Sequence, residues 1–236
     1  MDHRERFRAL FHFQEVDRLR VYFFGTWHET KSRWRAEGLQ SVRDMRVDFG
    51  PQVPGMDPDW EEGLWDCQGL VNLYPIGDVE PAILEETDRS RTVRTALGEV
   101  IREGTQSSTI PHTLRYALEP ERVSWEHFRR WLDPAIPGRY PAGWEERAAA
   151  LAGEDRVLAF MGGSLYGHLR AYMGIENLSL LSYDDPLLFA EMVETMADVF
   201  LELMKPVLKR VRFDLVYFFE DCCGADGPLF SPALYR

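Results

Sequence analysis

Three apolar runs constrain the fold most: Arg18 to Phe24 (RLRVYFF), Arg156 to Met161 (RVLAFM) and Leu215 to Phe219 (LVYFF). Each reads as a near-continuous apolar strand, the pattern of a strand covered on both faces in a parallel sheet. A helical segment follows each run. His28 to Glu37 is a charged helix with Trp34 on its apolar side and Gly38 as its C-terminal stop. Leu165 to Tyr172 follows the second run, and Ser231-Pro232 opens a helix after the third. Strands that alternate with helices in this way predict an α/β fold built on a parallel sheet. Enzymes of that class keep their chemistry at the carboxyl ends of the strands. The residues just after each run are therefore the first candidates for function.

Other segments fill in the plan. Arg4 to Phe13 places Phe7, Leu10 and Phe11 on one helical face. Ser41 to Phe49 is expected to be a short helix, and Gln52 to Gln68 a structured loop. Between residues 82 and 102, three β-prone runs (Ile83 to Thr87, Arg91 to Ala96, Val100 to Arg102) predict a small antiparallel insertion. Ser124 is expected to cap a helix to Leu132 that presents Trp125, Phe128 and Trp131 on one face. Asp185-Pro186 starts the longest helix, whose stripe runs from Phe189 through Met192, Met196 and Phe200 to Leu203. Pro206 lies inside it and is expected to kink it.

Composition excludes some partners. The 39 acidic and 27 basic residues leave a net charge of -12. Nucleic-acid binding depends on clustered Lys and Arg, and pairs such as Lys209-Arg210 do not supply that, so no nucleic acid is expected. No apolar run approaches the roughly 20 residues of a membrane span, and the N-terminus is charged from its second residue. Cys67, Cys222 and Cys223 are odd in number with two adjacent, which is not a disulfide framework; a reducing cytoplasm is the expected location.

Candidate chemistry gathers after the strands. Glu220 and Asp221 end the third run, and on an extended strand only one of two adjacent side chains can face a given side. Either is an acid/base candidate, with a solvated or helix-capping acid as the plainer alternative; Asp226 stands nearby as a third carboxylate. Cys222-Cys223 lacks the C-x2-C spacing of structural zinc sites. Trp27 and His28 follow the first run, and histidine can serve as acid, base or ligand. Gly162-Gly163-Ser164, between strand and helix, has the form of an anion cradle, but lacks the further glycines of a dinucleotide fingerprint and the Lys-Ser/Thr of a P-loop. His168 and His112 have no partner that spacing identifies, and no G-x-S-x-G, H-E-x-x-H or C-x-x-C motif occurs.

Taken together, several segments resemble the uroporphyrinogen-decarboxylase superfamily, from about Arg4 to Arg236. They are RERFRALFHFQEVDRLRVYFFGTWHETKSRWRAEGL, EETDRSRTVRTALGEVIREGTQSSTIPHTLRYAL, GGSLYGHLRAYMGIENLSLLSYDDPLLFAEMVETMADVFLELMKPVL and DLVYFFEDCCGADGPLFSPALYR. The last is similar to a strand–loop–helix pattern ED-x-x-x-x-x-GP-x-x-SP. The resemblance implies a single (β/α)8 TIM-barrel domain over 1–236, with the antiparallel insertion added. It implies either a tetrapyrrole decarboxylase or a corrinoid-linked methyltransferase. Where true decarboxylases carry the substrate-binding R-Q-A-G-R segment, this chain reads FFGTWHETKSRW, which turns the expectation toward the methyltransferase-like branch. That branch holds zinc through an H-x-C motif and a later cysteine, and no H-x-C occurs here. With one such barrel needing roughly 250 residues before insertions, the barrel is expected to be incomplete in this chain.

The expected function is thus methyl transfer involving a methylated small molecule or a corrinoid, the latter as substrate or carried by a partner protein. The alternatives are decarboxylation of a tetrapyrrole or other acid, and a non-catalytic corrinoid-binding barrel. Glu220, Asp221 and His28 are the expected catalytic residues; Trp27, Gly162, Gly163, Ser164 and Asp226 are expected to contact substrate. Zinc is the metal that the resemblance implies, with its ligands not evident in the chain.

Overall fold

The computed structural model of the chain describes residues 1, 3–17, 28–38, 69–105, 110–154 and 157–235. The expected strand over 18–24, the helix over 41–49, the loop over 52–68, Trp27 and Cys67 lie outside the described residues. In chain order the elements begin with helices α1 (His3–Phe11) and α2 (His28–Ala36) and strands β1 (Ala82–Glu86), β2 (Ser90–Arg94), β3 (Val100–Gly104) and β4 (His112–Arg115). Helix α3 (Arg122–Phe128) runs into a 3-10 turn, and α4 (Trp144–Ala152) and β5 (Ala159–Met161) follow. Helices α5 (Tyr166–Met173), α6 (Ile175–Asp184) and α7 (Pro186–Leu208) then lead to β6 (Leu215–Tyr217). The short strands β7 (Cys223–Gly224) and β8 (Gly227–Pro228) and helix α8 (Pro232–Tyr235) end the described chain.

The architecture is α/β, and its strands make three separate sheets: antiparallel β1-β2-β3-β4, parallel β5-β6 and the hairpin β7-β8. No closed barrel is formed among the described residues. No helix among them is long and apolar enough to cross a membrane. The described residues divide into two compact units.

The first unit comprises Met1–Val71, Pro141–Met161 and Pro206–Tyr217. Its centre is the parallel pair, with Ala159 opposite Leu215, Phe160 opposite Val216 and Met161 opposite Tyr217. Val157 to Phe160 are almost fully buried, as the apolar run requires. β6 is less covered than a strand buried on both faces: Val216 is 38% exposed, and Phe218 and Phe219 beyond it are about half exposed, as expected of a strand near an open edge. β5 is its one strand partner among the described residues, so fewer side chains are at hand to cover it. Just before β6, the carboxylate of Asp214 has only 2% exposure. It accepts bonds from Arg4 Nε (2.9 Å), Arg8 Nε (2.7 Å) and the Leu158 amide (3.0 Å), tying α1 to the start of both strands.

The second unit comprises Asn72–Tyr140, Gly162–Lys205 and Phe218–Arg236. The antiparallel insertion is longer than expected, because His112 to Arg115 adds a fourth strand against β3. α3 starts at Arg122, not at Ser124, and Ser124 Oγ instead accepts the Glu119 amide at 2.9 Å. Trp125, Phe128 and Trp131 do share a buried face. Asp185 Oδ1 accepts the Leu188 amide at 3.0 Å, the cap expected for α7, whose Met192, Met196, Phe200 and Leu203 are buried.

Arg139 is an unexpected core residue, 1% exposed. Its guanidinium donates to the carbonyls of Asn72, Tyr74, Trp131 and Asp133, and burial lowers its pKa. Its charge is therefore solvated by backbone dipoles, which fix the 72–74 segment in place.

Candidate functional site around Glu220

The site forms where the chain leaves β5 and β6. After β5 it turns through Gly162-Gly163-Ser164 into α5. Gly163 has φ +88°, a conformation that L side chains rarely adopt, and a Cβ there would meet the Phe200 ring at 2.7 Å. The turn therefore needs glycine both for its backbone and for its packing.

The first turn of any helix leaves backbone N–H groups without partners inside the helix. In α5 no side chain of the helix itself caps them. Glu220 does so, three residues after β6 and more than fifty residues away in sequence. Its Oε1 accepts the Leu165 amide at 2.9 Å. Its Oε2 accepts the Tyr166 amide at 2.9 Å, the Ser164 hydroxyl at 3.0 Å and, more weakly, the Gly167 amide at 3.4 Å. A negative charge at a helix N-terminus is favoured by the helix dipole as well as by these bonds. The place that looked like a phosphate cradle is therefore filled by a carboxylate of the same chain. Gly167 is part of this fit, since a Cβ on it would approach Ser164 Oγ and the Phe219 and Glu220 carbonyls at 3.0 Å or less.

Glu220 also lines a cavity of about 310 Å³. The other wall residues include the aromatic Tyr166, Phe189, Phe230 and Tyr235, and Glu220 is the one charged residue among those described. Phe230 is braced by two rings, Tyr166 at 4.5 Å between centroids and Tyr235 at 6.0 Å, the latter nearly parallel. Burial pushes the Tyr166 phenol upward in pKa, so it stays protonated at neutral pH.

Also in the first turn of α5, His168 packs among Tyr74, Tyr172 and Phe200, with ring centroids 5.1, 6.1 and 5.6 Å away. Its Nδ1 is buried without a hydrogen-bond partner among the described residues. Burial lowers its pKa to about 4, partly opposed by the nearby Glu220 charge, so the ring is neutral above that pH.

The remaining expected residues fall out as follows. Asp221 has φ +50° and pairs with Arg170 of α5, so Glu220 and Asp221 both face this helix, one at its start and one along its side. The strand has ended by then, which is why the two do not simply alternate across a sheet. Asp226 sits exposed in the two-residue turn between β7 and β8 and is not among the cavity-lining residues. Gly162 lies under the Phe218 ring, where a Cβ would come within 2.7 Å. His28 begins α2, with its side chain outside the described set, and Trp27 is outside it altogether.

Cys222 and Cys223 are both free thiols, as expected. Among the described residues no three His, Cys, Asp or Glu side chains gather where they would share a metal ion.

Sequence reasoning found Glu220 and Ser164 but missed the aromatic wall. Phe230 and Tyr235 stand in PLFSPALY, where only the helix start at Ser231-Pro232 was legible. Comparison of the chain with protein-family models, with curated proteins and with solved structures gave no match.

Proposed function

We propose that the chain is an enzyme of the uroporphyrinogen-decarboxylase superfamily, of its methyltransferase-like branch, moving a methyl group between a methylated small molecule and a corrinoid. One observation carries the choice between branches: the cavity wall is aromatic and aliphatic, with a carboxylate as its one charged group among the described lining residues. A polycarboxylate such as a tetrapyrrole acid would meet a like charge there and no cation to neutralise it. A small methylated molecule instead gains roughly 25 cal/mol for each Å² of apolar surface it buries. At about 310 Å³ the cavity is at the lower end of small-molecule sites. A corrin ring is larger than that, so the corrinoid meets the donor at the cavity mouth.

In this reading Glu220 acts through its charge. Four donors hold its two oxygens in place, so that a cationic donor is attracted to the cavity and oriented there. Asp221 serves structure through its pair with Arg170. The same reading takes β5 and β6 as neighbouring strands of a (β/α)8 barrel; their parallel register and the helices α5 to α7 between them support it.

The test is to incubate the protein with cob(I)alamin and a panel of methylated donors, following formation of methylcob(III)alamin by absorbance. Carbon dioxide release from carboxylic acids is measured in parallel. Methylation without carbon dioxide release is the expected result. Carbon dioxide release without methylation would replace this reading by the decarboxylase, and corrinoid binding with neither reaction would replace it by a carrier.

A further inference from the structure

We propose that the Glu220 cavity binds a methylated ammonium cation, of the tertiary or quaternary kind, with Phe230, Tyr166 and Tyr235 as its aromatic walls. As the identity of the methyl donor, this rests on the methyl-transfer reading above; as a binding site, it rests on the cavity alone.

The described wall carries one carboxylate and no lysine or arginine, so its field favours a cation over an anion. The N-terminus of α5 offsets part of the Glu220 charge, which leaves the rings to supply much of the attraction. Aromatic faces attract cations through their quadrupole, most strongly where water is excluded. Phe230 is well prepared for this, because the rings of Tyr166 and Tyr235 brace it and little side-chain freedom remains to be lost on binding.

Hydrogen bonding bears on the degree of methylation. A primary ammonium carries three N–H donors that water satisfies well. Inside the cavity the side-chain acceptors at hand are Glu220 and the hydroxyls of Tyr166 and Tyr235. Glu220 Oε2 already receives three bonds and its Oε1 one. A primary ammonium must find well-aligned acceptors for all three donors on entering, a requirement that a fully methylated nitrogen does not have. Each methyl group that replaces an N–H also adds apolar surface for the rings to cover.

Trimethylammonium and small derivatives fit within about 310 Å³ with room for one short substituent.

The test uses the full chain and calorimetric or NMR titration with four probes. They are tetramethylammonium, choline, the neutral choline isostere 3,3-dimethyl-1-butanol, and ethanolamine as the primary amine. The two quaternary cations should bind at least about tenfold more tightly than the neutral isostere, and ethanolamine should bind more weakly still. Phe230→Leu should weaken choline about fivefold or more while leaving the isostere nearly unchanged. Tyr235→Leu, at an exposed position, gives the same readout if the Phe230 variant does not fold. Equal binding of choline and its isostere, binding of none of the probes, or full choline affinity in a folded aromatic variant would overturn the proposal. The two readings separate cleanly. Choline binding without methylation of cob(I)alamin by any donor would sink methyl transfer and keep the cation site. Methylation from a neutral donor without choline binding would do the reverse.

Discussion

Replacing Glu220 with alanine tests whether one carboxylate organises the start of α5. The substitution removes the acceptor for two amides at 2.9 Å and for the Ser164 hydroxyl at 3.0 Å; the Gly167 amide at 3.4 Å contributes little. A hydrogen bond to a charged group contributes about 1.5–3 kcal/mol, and a buried donor left unsatisfied costs a similar amount. Water reaching these donors through the adjacent cavity recovers part of the loss, which leaves about 3 kcal/mol of destabilisation. Glu220→Gln keeps one accepting oxygen but turns an N–H2 toward a donor, and should cost about 2 kcal/mol. Ser164→Ala removes one bond and should cost about 1 kcal/mol. Because Ser164 and Glu220 share a bond, the double variant should be less destabilised than the sum of the two singles. Urea denaturation followed by circular dichroism, with unchanged m-values, measures all four. A Glu220→Ala protein within about 0.5 kcal/mol of the parent, or strict additivity with Ser164→Ala, would refute the reasoning.

Two further outcomes follow from the same structure. His168 has a folded-state pKa of about 4 against about 6.5 when exposed, so the unfolded chain binds the proton more readily between those values. The stability gained by keeping this ring neutral is complete above pH 6.5 and is lost as pH falls, by about 2 kcal/mol at pH 5. His168→Phe should flatten that part of the stability profile, and an unchanged profile would show that the ring is not buried uncharged. Asp214→Ala should destabilise by about 3 kcal/mol, because it leaves Arg4 and the Leu158 amide without their acceptor at a carboxylate only 2% exposed. Arg8→Ala, at a half-exposed arginine, should cost under about 1 kcal/mol, and equal losses from the two would contradict this ranking.

What the sequence disclosed follows the range of the interactions involved. Asp185-Pro186 is a local signal whose cap bond spans three residues, and it was legible. The apolar runs RVLAFM and LVYFF foretold the parallel strands, although the ladder itself covers only Ala159–Met161 and Leu215–Tyr217. Leu158 lies outside that ladder because its carbonyl accepts the amides of Asp214 and Leu215, where the chain enters β6. Ser124 misled because a serine can take a nearby amide from inside the first turn as well as from the cap position. The fourth strand, His112–Arg115, carries little strand signal of its own and exists because β3 offers it an edge. For Glu220 a helix-capping role was legible as one alternative, but not which helix it caps. Its partners lie 53 to 56 residues away, and no local spacing encodes a cap supplied across the fold. The buried Arg139 was hidden for the same reason, since two of its four carbonyl partners, Asn72 and Tyr74, lie 67 and 65 residues away.

The central claim is that chemistry takes place in the cavity beside Glu220. Val193 lines that cavity from α7 and takes no part in holding Glu220, so Val193→Phe fills the space without touching the cap. The measurement is the initial rate of cob(I)alamin methylation by the best donor, in the parent chain and in this variant, with a thermal melt of each. The account predicts a rate reduced at least about tenfold, the loss expected when a bulky group displaces substrate from its site, with a melting temperature within a few degrees of the parent. A folded Val193→Phe protein that methylates cob(I)alamin at the parental rate would contradict it.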